Sequence, residues 1–172
     1  FLVAVFTSPV LMPQSAVAGE KLLPVIHFER LTDVHLPSWQ IRSRIARDQQ
    51  GFIWIGTLEG LARFDGHTCK VYRNRAGDPH SLPGNIVNGL HVDRDNRLWV
   101  GCWGAGLSLF DPDRECFVHF RSRKNDTAWI QTSSIAEIFE DRAGNLWLGS
   151  LDGEIVFVDL SAARKATHVD SV

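Results

Sequence analysis

The sequence predicts an all-β chain built from repeated four-stranded antiparallel units, and three observations predict it. A tryptophan recurs at Trp54, Trp99 and Trp147, spaced by 45 and 48 residues, with an aliphatic residue on each side of every copy. An aspartate stands six residues before each one (Asp48, Asp93, Asp141) and a glycine two residues after (Gly56, Gly101, Gly149). Three residues before the tryptophan stand Gly51, Asn96 and Gly144, the residue types that most readily adopt positive φ.

The elements follow from this frame in chain order. Upstream of each aspartate lies an apolar segment, Ile41 to Ala46, Ile86 to Val92 and Ile135 to Phe139, read as the first strand of each unit. The aspartate then opens a turn, because Asx side chains accept hydrogen bonds from the backbone that follows them. A catalytic role for these aspartates is the weaker reading, since a role repeated in every copy is structural. After the turn come Phe52 to Thr57, Arg97 to Cys102 and Leu146 to Ser150, short apolar runs suited to strands buried on both faces. The glycine after the tryptophan leaves room for a neighbouring sheet to approach. Turns at Glu59-Gly60, Gly104-Ala105-Gly106 and Asp152-Gly153 lead into third strands ending at Phe64, Phe110 and Phe157. Fourth strands follow at Cys69 to Tyr72 and Phe117 to Phe120, and Thr167 to Val169 is expected to begin the fourth strand of the last unit.

Four short strands in a unit of roughly 45 residues, with tryptophan in the second, is the arithmetic of a propeller blade. The expected fold is a β-propeller fragment of about three four-stranded antiparallel blades with the ring not closed, since propellers have about four blades or more. Blade 1 is expected over residues 41–73, blade 2 over 84–122 and blade 3 over 132–172 with an incomplete end. Residues 19–40 form a leader in which Val25 to Arg30 supplies a strand to a closing blade. The tryptophans of the repeat are expected to pack in the core between blades. Trp103, in a one-residue insertion of its loop, is the aromatic to watch for ligand contact.

Composition bounds the partners. Formal charge is -2 from 18 basic and 20 acidic residues without long blocks, so nothing points to nucleic acid or an anionic membrane. The chain opens on Phe1, which suggests a start upstream. The apolar run to Met12 and the small-x-small pattern at Ala16-Val17-Ala18 read as residues 1–18 of a signal peptide lacking its basic region, hence an extracytoplasmic destination. Cys69, Cys102 and Cys116 are odd in number; buried free thiols are the favoured reading and a Cys69 to Cys116 bridge the alternative.

No catalytic or metal-binding constellation emerges. His27, His35, His67, His80, His91, His119 and His168 form no metal-like spacing, and no nucleophile or zinc motif occurs. No cofactor and no enzymatic activity are expected of this segment. The charged loop Asp113-Arg114-Glu115 reads as a solvated turn.

At Gly51-Phe52-Ile53-Trp54-Ile55-Gly56-Thr57, Gly60-Leu61, Arg63-Phe64-Asp65-Gly66 and Ser81-Leu82 the sequence resembles the two-component regulator propeller repeats. The resemblance covers about residues 25 to 160 in three copies. It implies a periplasmic sensor preceding a membrane span and a cytoplasmic output, such as a histidine kinase, a hybrid kinase or a diguanylate cyclase. It also implies further blades, roughly seven in a ring, and an extracytoplasmic ligand, with carbohydrate as a family-level expectation. A second protomer is a further expected partner. The alternatives are an exported propeller enzyme and a scaffolding propeller.

Overall fold

The computed structural model describes residues 41–120 and 134–161. The segments expected as a signal peptide (1–18) and leader (19–40), the strand at Thr167 to Val169, and Trp39, Trp129, His27, His35 and His168 lie outside the described residues.

Eleven strands form three antiparallel sheets among the described residues. The first sheet holds β1 (Ile41–Arg47), β2 (Ile53–Thr57), β3 (Gly60–Phe64) and β4 (Cys69–Tyr72). The second holds β5 (Val87–Val92), β6 (Leu98–Cys102), β7 (Gly106–Asp111) and β8 (Cys116–Phe120). The third holds β9 (Ile135–Glu140), β10 (Leu146–Ser150) and β11 (Ile155–Val158). In each sheet spatial order equals chain order, so every connection inside a sheet is a hairpin. The first two units have the four strands expected; the third has three among the described residues, and the sheets do not close a ring.

The tryptophans sit in one register throughout. Trp54 pairs with Ala46 and Arg63, Trp99 with His91 and Leu109, and Trp147 with Phe139 and Phe157. This register corrects one expectation. Phe157 is not the counterpart of Phe64 and Phe110 but of Arg63 and Leu109, and Val158 takes the Phe110 place. The cause is turn length set against spacing: the third unit has the four-step turn of the second (Ser150 to Glu154, Cys102 to Gly106) where the first has three (Thr57 to Gly60), yet Phe157 follows its tryptophan by only ten residues, as Phe64 does, where Phe110 follows by eleven. One extra residue turns each following side chain to the other face of a strand. Trp103 is accordingly not peculiar to its unit, because Leu151 holds the same place in the third.

Two apolar clusters lie between sheets. Trp54, Leu61 and Tyr72 of the first sheet meet Leu90, Val100 and Phe110 of the second. The rings of Trp54 and Phe110 stand edge to face with centroids 5.0 Å apart. Trp99 and Leu107, on the opposite face of the second sheet, meet Ile135, Ile138, Leu146 and Leu148 of the third. β6 is buried along its whole length, as a strand between two layers must be. Glycine makes the second interface possible: a Cβ on Gly101 would stand 2.8 Å from the Ile135 Cβ, and one on Gly89 would stand 3.2 Å from the Ile138 Cγ1.

Trp147 departs from the expected core packing. It is 43% exposed where Trp54 and Trp99 are 2% and 3%, because none of the described sheets lies over it. All three cysteines are free thiols; Cys102 is buried and Cys69 and Cys116 are half-buried.

Candidate functional site

The repeated aspartates build the turns at one end of each sheet. Gly51, Asn96 and Gly144 take φ of 95°, 61° and 87°, the left-handed turn that the sequence column requires. Asp48 accepts from the Phe52 backbone N–H at 2.9 Å, and Asp141 from that of Asn145 at 2.9 Å. Asp93 accepts from the backbone N–H groups of Asp95 and Arg97 at 3.0 and 2.8 Å.

The other carboxylate oxygen has a task the sequence reading missed. It accepts from the indole N–H six residues on: Trp54 to Asp48 at 2.8 Å, Trp99 to Asp93 at 2.9 Å and Trp147 to Asp141 at 3.2 Å. A buried indole N–H needs a partner, and the fixed six-residue spacing was the signal that could have revealed it. The Asn145 backbone N–H, with smaller help from the Trp147 indole, holds the Asp141 carboxyl below its ordinary range. Each of these three aspartates is thus committed to its own turn and tryptophan, an arrangement that fixes a scaffold.

The turns also tie neighbouring sheets. Asn96 accepts from the Gln49 backbone N–H at 2.7 Å and donates to Gln50 at 2.9 Å. Arg94 donates to Glu140 through Nε at 2.5 Å and through its backbone N–H at 3.0 Å. Its two Nη atoms reach the backbone carbonyls of Asp141 and Arg142 at 2.6 and 3.0 Å. His91 approaches the same Glu140 carboxylate at 3.5 Å.

Trp103 lies at the opposite end of the second sheet, so it and the aspartates are not brought together. It is 52% exposed, as is Leu151 in the matching turn of the third sheet. Ser134 stands between them: its hydroxyl accepts from the Gly104 backbone N–H at 3.2 Å and its carbonyl from that of Leu151 at 3.0 Å. Trp103 and Leu151 are thus exposed apolar side chains on two turns tied through Ser134.

A cleft of about 600 Å³ opens between the first and second sheets, lined by Phe52, Trp54, Arg63, Arg97 and Phe110 among others. The Arg63 guanidinium lies 4.6 Å above the Phe52 ring and bonds Glu115 at 3.2 Å. Glu115 also pairs with Lys70 and accepts from the Tyr72 hydroxyl at 3.4 Å. The loop expected as a solvated turn is therefore a tie between sheets, and Glu115 holds a positive φ of 50° to make it. Lys70 lowers the Glu115 pKa, while burial pushes the Tyr72 phenol up to about 12. Among the described residues no group of three or more His, Cys, Asp or Glu side chains is placed to hold a metal ion. No helix among them is long and apolar enough to cross a membrane.

Residues 37–59 and 81–104 match the family model described as two component regulator propeller. These two segments, 23 and 24 residues long, are similar to that family's repeat. The fold agrees with the extracellular domain assigned to a hybrid two component system of B. thetaiotaomicron, with a TM-score of 0.59 and 23% identity. That likeness covers 73% of this chain and 19% of that one. The extracellular domain assigned to a one component system of the same organism has a TM-score of 0.57 and 32% identity, covering 70% of this chain and 16% of that one. Histidine kinase P4 of Formosa agariphila is 50% identical over 38 residues, 22% of this chain and 3% of the kinase. The propeller repeats here thus span a small part of each protein they match.

Proposed function

We propose that this chain is part of an extracytoplasmic sensor, a propeller segment of a membrane signal-transduction protein that binds a ligand and passes the bound state to an output domain elsewhere in the protein. The observation that carries this reading is the 32% identity, over 70% of this chain, to an extracellular domain of a one component system. The match to a histidine kinase supports a kinase-type output. The geometry is consistent with binding rather than turnover, because the repeated carboxylates are spent on their own turns while Trp103 and Leu151 stand exposed on one rim. Trp103 is the residue proposed to meet the ligand. A saccharide fits an exposed indole, whose apolar face can cover a sugar ring, and carbohydrate is the first class to test.

Two measurements test the reading. The gene's own reading frame, from its natural start through residue 172, fused to a phosphatase that is active only after export is expected to give an active reporter; an inactive, cytoplasmic fusion would remove the extracytoplasmic assignment. A panel of oligosaccharides is expected to include one that raises the melting temperature of the chain and loses that effect with Trp103→Ala. If every sugar that binds does so equally well to Trp103→Ala, the rim is not the site.

A further inference from the structure

Glu115 holds a backbone conformation that a long side chain disfavours, with φ of 50° in the left-handed region. From there its carboxylate reaches the Arg63 guanidinium at 3.2 Å, the Lys70 ammonium, and the Tyr72 hydroxyl at 3.4 Å. Two cations and a phenol O–H that converge on one pair of oxygens form a receptor for an oxyanion. The chain's own acid fills it.

This receptor opens on a second cleft of about 600 Å³ between the first and second sheets, where Lys70, Arg73, Arg75, His80 and Arg114 line the walls and Glu115 is the one carboxylate. The balanced charge of the whole chain, 18 basic against 20 acidic residues, conceals the cluster. Arg75 pairs with Asp78 at 2.9 Å and Arg114 with Asp111 at 3.0 Å, but these two arginine side chains are 75% and 80% exposed, and such pairs hold weakly. Among the described residues Arg73 has no acidic partner. The five cations around the cleft, Arg63 included, thus outnumber the three acids among them.

The walls are pre-organised. Asn74 donates its backbone N–H to Asn85 Oδ1 at 2.7 Å and its side-chain amide to the Leu82 carbonyl at 2.8 Å. The Arg75 backbone N–H donates to the Ser81 hydroxyl at 3.0 Å, and the His80 carbonyl accepts from the Phe117 N–H of β8 at 2.9 Å. The loop that carries Arg73, Arg75 and His80 is pinned to itself and to the second sheet over the buried Ser81 and Leu82, so binding pays little to order it.

We propose that this cleft binds a compact ligand with two linked phosphate groups, one replacing the Glu115 carboxylate among Arg63, Lys70 and Tyr72, the other meeting Arg73. Phosphate fits the excess of cations better than a carboxylate, because each group carries more negative charge and more acceptor oxygens. Glu115 is then an internal competitor, carried on an exposed turn and able to swing out as the ligand enters. The site is independent of Trp103 and of the sensor reading.

Isothermal titration of the full chain with pyrophosphate, at about 0.15 M salt where surface charges are screened over about 8 Å, tests this. Pyrophosphate is expected to bind at one site per chain, and about tenfold or more tightly than inorganic phosphate or sulfate, which engage only one part of the cleft. Arg73→Ala is expected to weaken pyrophosphate about tenfold. Glu115→Gln removes the competing charge, keeps the side chain's shape, and is expected to strengthen binding about tenfold. Arg142→Ala, exposed on the third sheet, and Asp113→Asn, in the turn of Glu115, repeat these charge changes outside the cleft and are each expected to shift affinity less than about threefold. Far-ultraviolet circular dichroism checks the folding of each variant; should Glu115→Gln unfold, Arg73→Ala against Arg142→Ala decides. No binding of pyrophosphate, equal affinity for pyrophosphate and sulfate, equal losses from the two arginine variants, or equal gains from Glu115→Gln and Asp113→Asn would overturn the proposal. The readout involves neither Trp103 nor export, so its failure leaves the sensor reading intact, and an inactive export fusion leaves this inference intact.

Discussion

Trp99 and Trp147 occupy one position of one repeat, each donates to the aspartate six residues before it, Asp93 and Asp141, and both pair with neighbouring strands in the same register. Trp99 is nevertheless sealed between two sheets, whereas Trp147 is 43% open and touches Phe157 of its own sheet with ring centroids 5.0 Å apart. The local motif therefore sets where the indole sits and how its N–H is satisfied, and the next sheet decides whether it is core. A repeat of this kind cannot bury its own face; burial is a property of the junction.

Truncation should separate the two sites most strongly. Trp99→Ala is expected to cost about 3–5 kcal/mol and Trp147→Ala only about 1 kcal/mol, read from urea denaturation of the two variants. Comparable losses would mean that the third sheet is covered in solution. Next comes the carboxylate. Asp93→Ala leaves the buried Trp99 indole N–H and the Arg97 Nε without their acceptor and is expected to cost about 2–3 kcal/mol, against about 1 kcal/mol for Asp141→Ala. The glycines give a smaller contrast of the same sense. A methyl at Gly101 collides with Ile135, so Gly101→Ala should cost about 1–3 kcal/mol. Gly149→Ala should change stability by less than about 0.5 kcal/mol.

Much of this was legible in the sequence, for reasons that differ by residue. The turn columns could be read because positive φ selects glycine and asparagine, and the tryptophan column because its spacing repeats. The register of β11 could not. Gly153 aligns with Gly60 and Gly106 by eye, which hides the extra residue that moves Phe157 to the outer face. The exposure of Trp147 depends on a sheet, not on any neighbour in sequence. Glu115 gave no local signal either, since its partners Arg63 and Lys70 lie 52 and 45 residues away.

The smallest expected effect concerns a turn that stands apart from the junctions. Thr68, through its backbone N–H first and then its hydroxyl, with the His67 N–H adding to them, lowers Asp65 from 3.8 to about 2. A depressed carboxylate stabilises the fold above its unfolded value and loses that contribution as pH falls through its folded value. Acidification from the ordinary carboxylate range toward about 2 should therefore lower the melting temperature slightly, and Asp65→Asn should flatten that part of the profile. An unchanged profile would show that the turn opens in solution.

Strand order that follows chain order has a kinetic consequence. Every pairing inside a sheet closes a short hairpin, so the contacts within each unit are local and quick to form, while only the packing between sheets makes them stable and their opening cooperative. The second sheet is clasped on both faces and the third on one. Amide hydrogens of β10 should then exchange with solvent through local opening well before those of β6, and the end bearing Trp147 should be the first part to melt and the first to gain protection when its face is covered.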